Sequence, residues 1–397
     1  MQSRDIETLK SEAARRAGES TGNMKVVRSP YRVCPLGAHV DHQLGEVTGM
    51  ALDEALHLAF IPCTEPVVRI DSHNFEGTVQ FRLDEIPEDP PGDWADYLRG
   101  AAWALQQECG LSRGFYGLVS GRENVGGLSS SAAVGVAYLM ALEEANDLER
   151  GRWENIELDR RIENDYIGLN NGLLDQSSIL LSRRRHLMHL DCRSEEAELY
   201  PYGGDEALHV GVLYSGLTRQ LSGTDYNRRV DECREAAGIL LENADIEHGG
   251  RTLLREVPRK VYLEHREALP DRLRRRAAHY FGEQQRVHDG IRAWKEGDLA
   301  RFGRLVTQSG WSSVENYECG NAYLRSAFEV LDGTDGVLGA RFSGAGFRGC
   351  SIGIMGESPA DDLRGDILRR YCERHPDMDG QAEVYFCRPG DGAELIE

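Results

Sequence analysis

A glycine- and serine-rich segment that opens a helix constrains the fold of this chain more than any other feature. Residues 125–131 read Val-Gly-Gly-Leu-Ser-Ser-Ser. Apolar residues then recur with helical spacing at Ala133, Val136, Ala137, Met140 and Ala141. Because glycines allow close approach to the backbone and a helix N-terminus attracts anions, the segment predicts a phosphate-binding loop. Its residues are Gly126, Gly127, Leu128, Ser129, Ser130 and Ser131. An ordinary serine-capped helix start is the alternative interpretation.

A second glycine loop lies near the C-terminus, at residues 343–349. Its letters match the pattern of a dinucleotide-binding loop, but the strand-like segment 350–355 follows it where a helix should begin. The pattern therefore predicts a glycine-rich hairpin. Two glycine loops so far apart in the sequence favour a site closed by both halves of the chain, with Gly344 and Gly346 on one side of it. No lysine follows either loop at the spacing of a Walker A motif.

Two polar clusters add side chains suited to chemistry. Arg32, His39, Asp41 and His42 lie in or beside a loop after a predicted strand. A metal site formed by His39, Asp41 and His42 is the alternative, but mixed donors and acceptors suit sugar hydroxyls better. Glu163 and Asp175 lie in the second cluster, where carboxylates suit a Mg²⁺ ligand and a general base. A solvated helix face is the alternative for Glu163.

The length of 397 residues and the hydrophobic content of 40% favour two domains. Mixed helix and strand patterns fill the first half, and long amphipathic segments near 225–243 and 269–294 indicate helices laid on a sheet in the second. Strands are expected at 209–214, 338–342 and 350–355. We place the domain boundary near residue 190.

The formal charge of −20 disfavours nucleic acid or an anionic membrane as a partner. The polar N-terminal segment lacks the pattern of a secretion signal, and the nine scattered cysteines include no C-x-x-C pair. We expect reduced thiols and a cytoplasmic location.

Taken in order, these clusters resemble the motifs of the GHMP kinase superfamily, with the spacing of its galactokinase branch. The resemblance covers residues 26–355 and rests on specific strings, namely residues 29–39, 135–139, 315–320 and 339–350. It implies an α+β fold with a ribosomal-S5-like N-terminal domain at 1–190 and a ferredoxin-like C-terminal domain at 191–397. The active site would lie in the cleft between them.

The resemblance also implies a monomeric sugar-1-kinase that uses ATP with Mg²⁺. Asp175 would take the proton of the anomeric hydroxyl, and Arg32 would stabilise the developing negative charge. By position in the motifs, residues Gly126–Ser131, Gly344 and Gly346 would bind ATP. Ser131 and Glu163 would bind Mg²⁺. The residues that would contact the sugar are Ala38, His39, Asp41 and Tyr226.

One departure from the branch bears on the substrate. Galactokinases usually carry Gly-Glu-His-Thr-Asp-Tyr here, whereas this chain has Ala38 in place of the Glu and His42 in place of the Tyr. A Glu about 4 Å from a uronate carboxylate would repel it by roughly 4 kcal/mol at an effective dielectric near 20. The exchange therefore predicts a galactose-like acid, D-galacturonate, as the substrate. Arg348 is a candidate partner for its carboxylate. Galactose remains the alternative substrate, and a non-catalytic sugar and ATP sensor the alternative function.

Overall fold

The computed structural model describes residues 3–169, 171–217, 225–249, 252–344, 346 and 349–396. Two sheets organise these residues, and helices pack on both of them. The described residues form eleven α-helices, which are α1 (Ser3–Ala17), α2 (Asp96–Cys109), α3 (Ser130–Ala145), α4 (Arg152–Arg161), α5 (Leu174–Leu181), α6 (Asp225–Glu242), α7 (Arg259–His265), α8 (Asp271–Glu296), α9 (Leu299–Glu315), α10 (Ala322–Asp332) and α11 (Leu363–Arg374).

The first sheet has eight strands in the described part of the chain. Six run in the order β12, β1, β2, β5, β3, β4, while β6 pairs with β2 and β7 pairs with β6. Their bounds are β1 (Lys25–Val33), β2 (Glu46–Pro62), β3 (Val67–Ser72), β4 (Val79–Arg82), β5 (Phe115–Ser120), β6 (His186–Asp191), β7 (Glu196–Pro201) and β12 (Glu394–Ile396).

Helix α3 lies at the centre of this half of the molecule. It packs against β1, β2, α2, α4 and α5. The apolar stripe in the sequence predicted one buried face, but the structure buries eleven of the 16 residues of α3 and leaves none exposed, because strands and helices pack on several of its sides. This burial fixes the helix, and with it the loop at its N-terminus.

The second sheet is antiparallel, with the strand order β11, β8, β10, β9. These strands are β8 (His209–Tyr214), β9 (Val337–Phe342), β10 (Cys350–Met355) and β11 (Glu383–Cys387). Helices α9, α10 and α11 pack on its strands, and α8 packs against both α9 and the first sheet. The strand and helix patterns predicted for this half agree with these bounds, and the α+β class is confirmed.

The chain passes from the first sheet to the second between Pro201, where β7 ends, and His209, where β8 begins. The C-terminal strand β12 returns to the first sheet and pairs with β1. The boundary predicted near residue 190 remains a prediction about domains, since β6 and β7 extend the first sheet beyond it. Within the described residues, no helix has the length and apolar character needed to cross a membrane.

Candidate active site

The predicted phosphate loop connects β5 to α3. Gly127 and Ser129 both adopt a left-handed backbone, with φ of 92° and 54°, and α3 begins at Ser130. The helix has 16 residues, so its N-terminus offers free N–H groups and the positive end of a full helix dipole. The geometry is that of an anion-binding helix terminus.

Arg32 and Asp175 meet directly beside this loop. Arg32 lies near the end of β1 and Asp175 in the first turn of α5. Nε of Arg32 donates to Oδ1 of Asp175 at 2.8 Å, Nη2 lies 2.7 Å from the same oxygen, and Nη1 donates to the carbonyl oxygen of Gly127 at 3.1 Å. The side chain of Arg32 is 5% exposed and that of Asp175 24% exposed. The pair is therefore shielded, while the carboxylate keeps an open side.

Ser129 holds the other oxygen of Asp175. Its hydroxyl donates to Oδ2 of Asp175, and it makes no side-chain cap on α3. The alternative interpretation, a serine-capped helix start, does not describe this residue. Since β1 and the loop each supply a donor, two separate elements fix the orientation of the carboxylate.

Glu163 lies next to this pair in a π-helical turn, Ile162–Tyr166, that follows α4. Its side chain is fully buried, Oε2 accepts from Nδ2 of Asn171 at 2.9 Å, and Oε1 has no hydrogen-bond partner in the described part of the chain. Burial and the neighbouring Asp175 raise the pKa of Glu163 to about 7, while Asn171 and Ser131 oppose the rise. A buried carboxylate oxygen without a donor suits a hard cation such as Mg²⁺.

Asp41 borders the region around Gly172 and Asp175. A Cβ on Gly172, three residues before Asp175, would lie only 2.4 Å from Oδ2 of Asp41. Burial and the charge of Asp175 raise the pKa of Asp41 to about 6. The carboxylates of Asp41 and Asp175 thus border one region.

Three neutral histidines line the loop that carries Asp41. The ring of His39 stacks on Tyr317 with centroids 4.6 Å apart, and Nε2 of His279 donates to the carbonyl oxygen of Ala38 at 2.9 Å. Burial, with His279 and Arg341 nearby, holds the pKa of His39 well below its usual value. Burial likewise lowers the pKa of His42 to about 3 and that of His279 to about 4.

Among the residues that the structure describes, no three His, Cys, Asp or Glu side chains converge to hold a metal ion. The alternative in which His39, Asp41 and His42 bind a metal therefore has no support.

The second glycine loop joins β9 to β10 as the predicted hairpin. A Cβ on Gly344 would lie 2.9 Å from Cα of Gly127, and a Cβ on Gly349 would lie 2.2 Å from the carbonyl oxygen of Gly126. The two glycine loops therefore pack backbone against backbone, which requires glycine whether or not a nucleotide is bound. Gly346 is also left-handed, with φ of 79°.

Two residues named from the sequence lie outside this description. The side chain of Tyr226 and all of Arg348 are not among the described residues. Their predicted contacts with the sugar stay predictions.

The sequence reasoning missed an aromatic pair, one member of which lies three residues before a tyrosine in contact with the phosphate loop. Phe75 is 56% exposed and stacks on Trp94, with parallel rings whose centroids are 5.8 Å apart. Tyr97, in the first turn of α2 and three residues after Trp94, contacts the hydroxyl of Ser131. The signal available in the sequence was the spacing of Trp94 and Tyr97 at the start of a helix, directly after the proline-rich segment 87–92.

Comparison with known proteins identifies the class. The family model described as GHMP kinases N terminal domain matches residues 96–183, and the one described as GHMP kinases C terminal matches residues 291–374. The chain belongs to the GHMP kinase family, and it is an ATP-dependent sugar kinase.

Named relatives narrow the comparison further. The chain is 40% identical to galacturonokinase of Arabidopsis thaliana over 99% of its own length and 98% of the relative. It is 30% identical to galactokinase of Staphylococcus carnosus, over 93% of this chain and 94% of that one. Lactococcus lactis galactokinase complexed with galactose superimposes with a TM-score of 0.87 at 26% identity, covering 98% of this chain and 99% of that one. The resemblance drawn from the sequence motifs is confirmed.

Proposed function

We propose that the chain transfers the γ-phosphate of Mg-ATP to the anomeric hydroxyl of D-galacturonate, giving α-D-galacturonate 1-phosphate and ADP. The observation that carries the reaction type is the Arg32–Asp175 pair, held against the phosphate loop by Gly127 and Ser129. The similarity to a galacturonokinase at 40% identity supports the substrate, and so does Ala38, whose side chain carries no carboxylate at the position where galactokinases usually carry a Glu.

In the proposed reaction, Asp175 accepts the proton of the anomeric hydroxyl as that oxygen attacks the γ-phosphorus. The new bond joins the sugar oxygen to phosphorus, and the bond between the γ-phosphorus and the bridging oxygen breaks to release ADP. Arg32 contacts both Asp175 and the phosphate loop. Its charge would therefore stabilise the carboxylate of Asp175 before phosphoryl transfer and the phosphoryl oxygens during transfer. Its contact with the Gly127 carbonyl oxygen keeps it next to the phosphates.

Nucleotide binding is assigned to the two packed glycine loops. The backbone from Gly126 to Ser131 would hold the phosphates, with Gly344 and Gly346 facing them from the second sheet. The exposed ring of Phe75, stacked on Trp94, offers an aromatic surface for the base. Ser131 and Glu163 would hold Mg²⁺, whose charge neutralises the phosphate oxygens.

Sugar binding is assigned to Ala38, His39, Asp41 and Tyr226. Asp41 would accept hydrogen bonds from ring hydroxyls, since its carboxylate borders Gly172 and Asp175. A monomeric state, a cytoplasmic location and the absence of nucleic-acid or membrane partners stay predictions. The formal charge of −20 supports the expectation about nucleic acid.

A coupled ADP-release assay with Mg-ATP tests the proposal, using D-galacturonate, D-galactose and D-glucuronate at equal concentrations. We expect the highest kcat/KM for D-galacturonate. A preference for galactose would keep the enzyme class and reject the substrate. ADP release with none of the sugars, together with sugar binding by calorimetry, would favour the alternative function of a sugar and ATP sensor.

A further inference from the structure

The second sheet holds the segment that leads into the phosphate loop. Residues 121–125 connect the end of β5 to the glycines of that loop. Strand β11 belongs to the second sheet, and two of its side chains, Glu383 and Tyr385, contact this segment. Because residues two apart on a strand lie on the same face, both side chains approach the segment from one side.

Glu383 binds two residues of the segment at once. Its Oε1 accepts from Nη2 of Arg122, and its Oε2 accepts from Nδ2 of Asn124 at 2.9 Å. The side chains of Arg122 and Glu383 are 26% and 35% exposed, so the ion pair is partly shielded from solvent and from salt. Since Arg122 and Asn124 are two residues apart, one carboxylate restrains the backbone between them.

Tyr385 binds the same two residues by other means. The guanidinium carbon of Arg122 lies 3.8 Å from the centroid of the Tyr385 ring, and the Tyr385 hydroxyl donates to the carbonyl oxygen of Asn124 at 3.0 Å. Burial raises the pKa of this hydroxyl, so it keeps the proton that it donates. Because a peptide group is planar, fixing the Asn124 carbonyl also fixes the N–H of Val125, which directly precedes the loop glycines.

Strand β11 is itself firmly held. It pairs with β8 from Glu383 to Cys387, and the chain after it crosses to the first sheet, where Pro389 forms a bridge with Leu52 and β12 pairs with β1. The N–H of Arg388 donates to Oδ1 of Asp53 at 2.8 Å, and the N–H of Asp53 donates to the carbonyl oxygen of Arg388 at 2.8 Å. Both sheets therefore fix the strand that carries the two side chains.

The contacts from β11 fall between two other attachments of the same stretch of chain. At its start, the side-chain amide of Asn74 exchanges hydrogen bonds of 3.0 and 3.1 Å with the backbone of Gly121. At its end, Arg32 donates to the carbonyl oxygens of Gly127 and Leu128, each at 3.1 Å. The side chains of β11 thus support the middle of the stretch.

We propose that Glu383 and Tyr385 are positioning residues for nucleotide binding. They hold residues 122–125 in the conformation from which the phosphate loop receives the ATP phosphates, and they act through Arg122 and Asn124 rather than on the nucleotide. This inference rests on the proposed function in one respect, the assignment of the phosphates to the backbone of the loop. Because these contacts reach the phosphate loop and not the sugar loop, residues 37–42, they should affect the affinity for ATP and not that for the sugar.

Calorimetric titration with Mg²⁺ and a non-hydrolysable ATP analogue, in the absence of sugar, tests this assignment. For Glu383→Gln we expect the Kd of the analogue to rise about tenfold, because the amide keeps the shape and loses the charge that binds Arg122. For Tyr385→Phe, which keeps the ring on Arg122 and removes only the hydroxyl, we expect a rise of about three- to fivefold. In steady-state kinetics, KM for ATP should rise by the same factors, while KM for the sugar should change less than about twofold.

Two matched controls separate positioning from a general loss of stability. Glu54→Gln removes the other carboxylate that pairs with Arg122, at 3.3 Å from Nη1, but leaves the contacts from β11 to Arg122 and Asn124 in place. Tyr202→Phe removes a buried hydroxyl that donates to the carbonyl oxygen of Gly297 at 3.3 Å, in the connection between β7 and β8. We expect both controls to bind the analogue as the unaltered enzyme does.

A double-variant cycle shows whether Glu383 acts through the segment. Asn124→Ala removes the amide that donates to Oε2 of Glu383, so it should weaken binding of the analogue by itself. The double variant Asn124→Ala, Glu383→Gln should lose less affinity than the product of the two single losses. A loss equal to that product would show that the two side chains act independently and would overturn the route through Asn124.

An unchanged Kd in both Glu383→Gln and Tyr385→Phe would overturn the assignment, and so would equal losses in the two controls or an equal rise in KM for ATP and sugar. Tyr385→Phe keeps the test decisive if Glu383→Gln does not fold. Ser131→Ala distinguishes the failure of the loop assignment, because the Kd of the analogue would then stay unchanged in that variant. The identity of the sugar has no influence on this titration, since no sugar is present.

Discussion

A buried glutamate lies at each end of helix α3, and the two are alike in burial, hydrogen bonding and pKa. Glu163 lies beside the N-terminal end, and Glu143 lies on the helix near its C-terminal end. Each accepts an asparagine amide, from Asn171 at 2.9 Å and from Asn155 at 3.0 Å, and each keeps one buried oxygen without a described partner. Burial raises the pKa of both to about 7.

The difference between the two ends lies in what surrounds these carboxyls. At the N-terminal end the helix dipole is positive, the loop backbone is open, and Arg32 and Asp175 converge on it. At the C-terminal end the dipole is negative and the charged neighbours are Arg150 and Glu154. A buried carboxyl with a raised pKa therefore does not define a site by itself, whereas convergent donors at a helix N-terminus do.

The largest expected effect is at the N-terminal end. Asp175→Asn removes the proton acceptor while keeping the shape, so kcat should fall by about 10²–10⁴-fold for both sugars with little change in KM. The measurement is steady-state kinetics over a pH range. Asp191→Asn is the matched control, because Asp191 forms an ion pair with Arg255 at the end of β6, and its kcat should stay unchanged. A near-normal kcat in Asp175→Asn would reject the proposed base.

The glutamate pair gives the next effect. Glu163→Gln should weaken the apparent affinity for Mg²⁺ by about 10–100-fold, measured from initial rates at fixed ATP and varied Mg²⁺. Glu143→Gln changes the same side chain in similar surroundings and should leave the Mg²⁺ dependence unaltered. Equal Mg²⁺ dependence in both variants would contradict the assignment of the metal to the N-terminal end.

A smaller effect is expected from the titration of Asp41. Its raised pKa of about 6 means that the carboxylate is mostly ionised at pH 8 and only about one tenth ionised at pH 5. Since a protonated carboxyl loses acceptor capacity for sugar hydroxyls, KM for the sugar should rise about tenfold between pH 8 and pH 5. In Asp41→Asn, KM should be higher at pH 8 and vary less with pH. A variant that retains the full pH dependence would assign the titration to another group.

The smallest effect concerns stability at the C-terminal end. The folded chain binds a proton at Glu143 more tightly than the unfolded chain, with a pKa of about 7 against an ordinary 4.5. Its ionisation therefore destabilises the fold as pH rises from about 4.5 to 7. Glu143→Gln should raise the free energy of unfolding by about 1–3 kcal/mol at pH 8 and change it little at pH 4.5. Urea unfolding at the two pH values measures this, and a gain of equal size at both would exclude the electrostatic cause.

The sequence alone determined the family and the elements that carry its motifs. Glycines, serines and helical spacing are local signals, so the loop before α3, the hairpin around the second glycine loop and the strand 209–214 were readable from neighbouring residues. Arg32 and Asp175 could also be identified from the sequence, because the motifs that contain them occur in the order found in the family.

Only the tertiary structure decided which groups share a charge environment. Ser129 was predicted as part of the ATP loop, which stays a prediction, and only the packing shows that its hydroxyl holds Asp175, a residue 46 positions away. The aromatic pair of Phe75 and Trp94 forms between the segment after β3 and the turn before α2, and Arg341 on β9 is linked to the sugar loop through Ser309 on α9 and Glu283 on α8. Such contacts depend on how helices cross the sheets. Burial, which sets each pKa and the cost of an unpaired charge, exists only once that packing is complete.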